Sequence, residues 1–117
     1  MTARPNIDMS LKNWTAVCPL DDIAPNSGVC ALIGGRQVAV FRVSDDRVYA
    51  LSNYDPFSNA NVLSRGIVGD IKGELVVASP VYKQHFSLTT GQCIEDPVVK
   101  IEAFPVRINN AVVQVAA

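Results

Sequence analysis

The sequence has very little histidine, almost no net charge and no long apolar run. One histidine among 117 residues cannot supply a two-histidine iron site, and any catalytic base role would fall to that side chain alone. A formal net charge of −1 gives no electrostatic reason to expect a nucleic-acid partner. The longest apolar runs span about five residues, far fewer than the roughly 20 that cross a bilayer. We therefore expect no nucleic-acid partner and no membrane partner.

Cysteine is also scarce, and its spacing excludes two common uses. Cys18, Cys30 and Cys93 are an odd number at wide intervals, which fits neither a disulfide framework nor a zinc site. Each lies in or beside an apolar run, where a reduced cysteine packs as a small core residue. We predict three buried thiols in a cytosolic protein, with a redox role for one of them as the alternative. No serine or cysteine has a context that marks an activated nucleophile, so no catalytic residue is predicted.

The length and composition predict one domain. Hydrophobic residues make up 49% of the chain, so it can bury a core and is not a disordered tail. We predict a single domain over residues 13–117, preceded by a flexible N-terminal lead-in over residues 1–12. The lead-in carries charge but no following apolar block, so it is not expected to be a signal peptide.

Short β-branched runs separated by turn residues follow one another along the chain. Gly34-Gly35, the segment 69–73 and Asn109-Asn110 each join two such runs, and glycine and asparagine accept the positive φ angles of tight hairpin turns. Pro105 interrupts the run 103–108, which indicates a strand edge or a bulge. The pattern predicts an all-β fold, an antiparallel sandwich or small barrel.

Two strand-then-loop units lie in the middle of the chain. Residues 48–57 and 76–82 are each an apolar run that stops at a proline and turns into a loop. Rieske-type iron–sulfur proteins hold a [2Fe–2S] cluster between two such loops, with Cys-x-His in the first and Cys-x-x-His in the second. The stretch from 14 to 115 resembles that domain at many points. The resemblance implies a Rieske-like pair of stacked antiparallel sheets or small barrels, with two loops meeting at one tip.

The four ligand positions of the Rieske pattern hold other side chains in this sequence, namely Asp55, Phe57, Ser79 and Tyr82. None of them offers a thiolate or an imidazole. An aspartate can bind iron, but the other three cannot complete a Rieske-type site. We therefore expect no cluster and no metal site in this chain. The single histidine, His85, is expected at a partly exposed strand position.

Several short motifs are similar, in order and spacing, to the small-subunit family of the assimilatory NAD(P)H-dependent nitrite reductases. They are Asn53-x-Asp-Pro-Phe57, Val62-Leu-Ser-Arg-Gly66 and Ala78-Ser-Pro80, followed by Lys83-Gln84. The resemblance implies a non-catalytic, cofactor-free small subunit in the cytoplasm, with the large subunit as its partner. In that family nitrite is reduced to ammonium with electrons from NADH or NADPH. The FAD, the [4Fe–4S] cluster and the sirohaem belong to the large subunit.

The loop side chains then need another role. We expect Phe57 and Tyr82 to pack across the gap between the loop tips, or to form an exposed docking patch for a partner. Asp55 is expected to accept hydrogen bonds from nearby backbone amides, with a partner contact as the alternative. Arg65 and Lys83 are expected to be surface cations, with the same alternative.

Two other functions remain open at this point. A Rieske-type ferredoxin would carry electrons, bind iron and absorb visible light, and the missing ligands argue against it. A free-standing protein-interaction module would be a stable monomer that does not bind the sirohaem-containing nitrite reductase.

Overall fold

The computed structural model describes residues 13–117, and the expected lead-in lies outside the described residues. This part of the chain forms twelve strands and two short 3₁₀ turns, so the predicted all-β fold is confirmed. The strands are β1 (Thr15–Pro19), β2 (Ser27–Ile33), β3 (Arg36–Arg42), β4 (Val48–Ser52), β5 (Tyr54–Asp55), β6 (Ala60–Asn61), β7 (Ile67–Ile71), β8 (Glu74–Ala78), β9 (His85–Ser87), β10 (Ala103–Phe104), β11 (Val106–Asn109) and β12 (Val112–Val115). The 3₁₀ turns are Leu20–Asp22 and Leu63–Arg65. Across these residues, none of the helical segments has the length and hydropathy to span a membrane.

The strands form three antiparallel sheets and one small ribbon. The central sheet has the order β10-β4-β3-β2, the terminal sheet β1-β12-β11 and the loop sheet β7-β8-β9. β5 and β6 pair as a two-stranded ribbon. Only Pro105 separates β10 from β11 along the chain, so the central and terminal sheets are joined at that edge.

The central sheet lies between two hydrophobic cores. Alternate residues of β3 point to opposite faces of the sheet. One face packs on the loop sheet, and the other packs on the terminal sheet. The first core includes Ala39, Phe41, Leu51, Val77 and Phe86, and the second includes Val38, Val40, Ala50, Val113 and Val115. Because both faces are covered, four consecutive residues of β3 are buried.

One hairpin turn is where the sequence predicts it, and another is shifted. Gly34-Gly35 joins β2 to β3 as predicted, with φ angles of +57° and +80°. The last hairpin turns at Asn110 and Ala111, one residue later than the predicted Asn109-Asn110. Alanine is disfavoured in the left-handed region, yet Ala111 has a φ of +64°. Strand pairing between β11 and β12 therefore sets this turn more than the local turn preference does.

Pro105 marks the point where the chain changes sheet. The predicted single run 103–108 is two strands, β10 in the central sheet and β11 in the terminal sheet. Both lie at sheet edges, so the predicted edge position of the proline is confirmed. Proline cannot donate to a strand ladder, but its carbonyl accepts the Ala116 N–H at 3.0 Å.

The prediction of three buried thiols is wrong for Cys30. Cys93 is buried and Cys18 is half-buried, whereas Cys30 is exposed. Cys30 lies on β2, an edge strand of the central sheet. The same apolar run can form an edge strand or a central strand, so the sequence could not show that Cys30 is exposed.

Candidate functional site

Two loops meet beside the loop sheet, and a buried hydrogen bond joins them. The first loop follows β4 and includes the β5-β6 ribbon, and the second follows β8. The Ser79 hydroxyl of the second loop donates to Asp55 Oδ2 of the first at 2.5 Å. Both residues are buried. The structure thus brings together two of the four positions at which a Rieske protein has cluster ligands.

The Asp55 carboxylate organises the first loop. Its Oδ1 accepts the Phe57 N–H at 2.9 Å, and its Oδ2 also accepts the Ser58 hydroxyl at 2.9 Å. A buried charge is tolerated only when donors satisfy it, and these groups and Ser79 do so. The prediction that Asp55 accepts a nearby backbone amide is confirmed. Asp55 is 0% exposed, so its carboxylate faces the loops in this conformation.

Asn53 has a structural role that the sequence pattern does not predict. It is 2% exposed, and its Oδ1 accepts the Ser64 N–H at 2.7 Å. Its side-chain amide donates to Gln37 Oε1 at 3.0 Å, and its own N–H donates to the Gln37 carbonyl at 3.0 Å. Asn53 therefore ties the base of the first loop to β3 and to the turn Leu63–Arg65. An asparagine directly after an apolar strand is the signal that could have indicated this role.

The two aromatic side chains of the loops do not meet, so the prediction that they pack together is wrong. The centroid of the Phe57 ring lies 6.1 Å from that of Phe86, with the planes tilted by 47°. Phe57 packs on the core shared by the central and loop sheets. Tyr82 is 61% exposed instead. Burial of apolar area favours the core position for Phe57, whereas the second loop carries Tyr82 outward.

The second loop closes as a tight turn with an exposed tip. The Lys83 N–H donates to the Ser79 carbonyl at 3.1 Å, and the Ser79 N–H donates to the Gln84 carbonyl at 2.9 Å. Lys83 has a φ of +68°. Lys83 and Arg65 are both exposed, as predicted for surface cations. The exposed residues of the turn are Pro80, Val81, Tyr82 and Lys83, which we call the tip patch.

His85 begins the strand after the second loop and is tied to Glu95. His85 Nδ1 lies 2.5 Å from Glu95 Oε2, and the His85 backbone N–H donates to Glu95 Oε1 at 2.8 Å. Burial alone would raise the pKa of Glu95, but the hydrogen bonds from His85 outweigh it and hold that pKa below its usual value. Burial raises the pKa of the neighbouring Cys93 thiol. The predicted half-exposed strand position of His85 is confirmed.

We predict that Glu95→Gln will flatten the acid side of the stability profile. The pKa of Glu95 in the folded state lies below the usual value of a glutamate. Its contribution is therefore fully present above that value and is lost as the pH falls through the folded-state pKa. Between about pH 6 and pH 3, the free energy of unfolding measured in urea should fall less for Glu95→Gln than for the wild type. Glu74→Gln, at an exposed position that starts β8, is the control, and identical slopes for Glu95→Gln and the wild type would contradict the prediction.

This chain is similar to known proteins over most of its length. Residues 13–116 match the family model of the Rieske-like [2Fe–2S] domain. The nitrite reductase (NADH) small subunit of Salmonella typhimurium is 49% identical over 105 residues, which are 89% of this chain and 97% of that protein. The chain belongs to the nitrite reductase small-subunit family of Rieske-like domains.

Two further proteins extend the comparison for this Rieske-like chain. The crystal structure of an NADH-dependent nitrite reductase small subunit from Mycobacterium tuberculosis superposes with a TM-score of 0.88 at 45% identity, covering 92% of this chain and 96% of that one. The nitrite reductase [NAD(P)H] large subunit of Klebsiella oxytoca is 46% identical over 102 residues, which are 87% of this chain but only 11% of that protein. A stretch similar to this small subunit is therefore part of a much longer polypeptide in Klebsiella.

The loop residues of this Rieske-like domain do not fit the cluster for which the family model is named. A Rieske site needs two thiolates and two imidazoles. Phe57 has no donor atom, and the Ser79 hydroxyl is already engaged with Asp55. The one histidine of the chain, His85, is paired with Glu95. Across residues 13–117, no group of three or more histidine, cysteine, aspartate or glutamate side chains is placed to hold a metal ion.

Proposed function

We propose that this chain is the small subunit of a cytoplasmic NAD(P)H-dependent nitrite reductase. The observation that carries the proposal is the 49% identity to such a subunit over 97% of that subunit's length. In the proposed complex the large subunit reduces nitrite to ammonium and holds the FAD, the [4Fe–4S] cluster and the sirohaem. This chain holds no cofactor and carries no electrons, because its loop residues lack the donors of an iron–sulfur site. It supports the assembly or the activity of the large subunit.

The Klebsiella protein supports the proposal that this chain acts in a complex with the large subunit. In that protein a stretch similar to this chain and the rest of a nitrite reductase large subunit belong to one polypeptide. Two parts that are joined covalently in one organism are held together at a high effective concentration. The proposed complex reaches the same proximity through a non-covalent interface.

We place the docking surface of this chain at the tip patch. Exposed aromatic side chains are favoured anchors of protein interfaces, and Tyr82 is 61% exposed beside Val81, which is 45% exposed. The bond between Asp55 and Ser79 holds the base of this loop in place, so little ordering is needed on binding. Lys83, together with Arg65 from the neighbouring turn, would complement an acidic surface on the large subunit.

The deciding experiment compares nitrite reduction by the purified large subunit with and without this chain, using NADH and NADPH in turn. Iron content and the visible spectrum of the isolated chain are recorded in parallel. The proposal expects the chain to bind the large subunit and to raise its activity or stability, and expects the isolated chain to lack iron. Bound iron with a visible band would favour the ferredoxin function instead. A large subunit that neither binds the chain nor responds to it would favour a free-standing interaction module.

We predict that Tyr82→Ala will weaken the complex about tenfold or more while changing the free energy of unfolding by less than about 0.5 kcal/mol. Phe57→Ala should lower the free energy of unfolding by about 2 kcal/mol and leave binding to the large subunit little changed. The reason is that the Phe57 ring packs on Phe86. Binding is measured by titration and stability by urea unfolding. Val98→Ala is the control, since Val98 is 92% exposed outside the tip patch. Undiminished binding by Tyr82→Ala would contradict the docking assignment.

A further inference from the structure

A groove of about 320 Å³ separates β1 from β2. These two strands are edges of the terminal and central sheets, which are joined on their other side through Pro105. The groove is therefore the open side of the barrel that the two sheets form. It is lined by the consecutive residues 15–18 of β1 and 29–33 of β2, together with Asp22. Consecutive strand residues point to both faces of a sheet, so the backbone edges themselves form the walls.

The register of β2 shows which backbone groups face the groove. The β2-β3 hairpin closes at Ile33 and Arg36 around a two-residue turn, so this pair exchanges backbone hydrogen bonds. Bonded pairs alternate along an antiparallel ladder, so Ala31 also bonds to β3. The N–H and C=O groups of Cys30 and Leu32 point away from β3, and no strand within residues 13–117 pairs with β2 on that side. Within the described part of the chain these groups have no strand partner.

β2 also lacks the features that normally protect a sheet edge. Edges are guarded by charge, proline, bulges or short length. β1 has a register shift at Val17 and ends in Pro19, β7 contains Asp70, and β11 contains Arg107. β9 and β10 have only three and two residues. β2 has seven residues in continuous register with neither charge nor proline, and its Leu32 is 74% exposed.

The pairing of Thr15 with Val115 beside the groove indicates what covers this edge. Thr15 of β1 pairs with Val115 of β12, and Thr15 also lines the groove. A polypeptide that continues from Val115 would leave the domain beside the groove, and in the Klebsiella protein a stretch similar to this chain is part of a longer polypeptide. We infer that an extended segment of the large subunit adds to β2 as an edge strand. This inference rests on the proposed function and concerns a surface separate from the tip patch.

The groove also restricts the chemistry of the added segment. The lining residues include Val17, Val29 and Ala31, which also pack against the second core. Burial, and then the charge of Asp22, raise the pKa of the Cys18 thiol, so this thiol adds no charge to the groove. Asp22 supplies negative charge at one end of the groove. The segment is therefore expected to alternate small apolar residues with polar ones and to place a lysine or arginine near Asp22.

Hydrogen exchange at residue resolution tests the inference on the full chain, free and bound to the large subunit. The amides of Cys30 and Leu32 should exchange rapidly in the free chain and about tenfold or more slowly in the complex, because strand addition gives them hydrogen-bond partners. The Ala31 amide, which bonds to β3, should be protected in both states and serves as the internal reference. If Cys30 and Leu32 are already protected in the free chain, the edge is covered by this chain or by a second copy, and the inference is overturned.

A matched pair of variants separates the backbone contact from the side chain. Leu32→Pro removes the N–H that faces the groove without breaking a bond to β3, whereas Leu32→Ala shortens the side chain and keeps the N–H. Leu32→Pro should bind the large subunit about tenfold more weakly than Leu32→Ala, with similar urea midpoints for the two variants. If the complex forms without new protection at Cys30 and Leu32, the inference fails while the proposed function stands. If the wild-type chain and the large subunit do not associate, both fail.

Discussion

Replacing Asp55 by alanine should destabilise the fold by about 3 kcal/mol and remove binding at the tip patch. The carboxylate accepts the Phe57 N–H, the Ser58 hydroxyl and the Ser79 hydroxyl, and the residue is 0% exposed. Alanine would leave these donors without their acceptor, and a buried donor that loses its partner costs its full desolvation energy. The loops would also lose the bond that joins them, so the tip patch would no longer be held in one conformation.

Urea unfolding and titration with the large subunit measure the two effects of Asp55→Ala. Ser79→Ala is the matched control, because it removes the bond between the loops and leaves the bonds within the first loop intact. Ser79→Ala should lower the free energy of unfolding by about 1 kcal/mol. The loss in the double variant should be smaller than the sum of the two single losses, because both changes remove the same hydrogen bond. If Asp55→Ala unfolds at the wild-type urea concentration, the carboxylate does not hold the loops.

Replacing Gly91 by alanine should cost at least about 3 kcal/mol of stability. Gly91 has a φ of +81°, and a Cβ atom there would lie 2.0 Å from the Ile101 carbonyl oxygen. The Ile101 N–H donates to the Gly91 carbonyl at 2.9 Å, so the two backbones are held together and cannot separate without losing this bond. A side chain would therefore push the segment before β10 away from the loop sheet.

Gly73 is the matched control for Gly91. It has a φ of +88°, but no atom lies within 4 Å of the position that a Cβ would take. Gly73→Ala should therefore cost only the conformational term, about 1 kcal/mol. Thermal and urea unfolding of both variants separate the backbone strain from the steric clash. Equal losses would show that the contact with Ile101 does not limit this position.

The strand pattern and the loop positions were predictable because they depend on local residue types. β-branched runs, Gly34-Gly35 and the prolines define short strands and turns without reference to the rest of the chain. The shift of the last hairpin to Asn110 and Ala111 was not predictable. There, pairing along β11 and β12 outweighs the preference of the turn residues.

The loop side chains were predicted less well, because neighbours distant in sequence determine their roles. Two aromatic residues at loop tips suggest mutual packing, but Phe57 finds Phe86 of β9, and Tyr82 remains exposed. The contact that does join the loops links Asp55 and Ser79, two polar residues 24 positions apart. No periodicity or spacing in the sequence indicates that these two side chains share a buried hydrogen bond.

The sequence by itself determined that this chain is all-β, that its two central loops resemble those of Rieske proteins, and that one histidine cannot furnish a Rieske site. Those conclusions depend only on residue identity and order. The tertiary structure alone decided that Asp55 is buried, that Cys30 is exposed, and that β2 has no strand partner beside β1 among residues 13–117. These are properties of packing, since burial and strand pairing depend on which surfaces meet when the sheets come together.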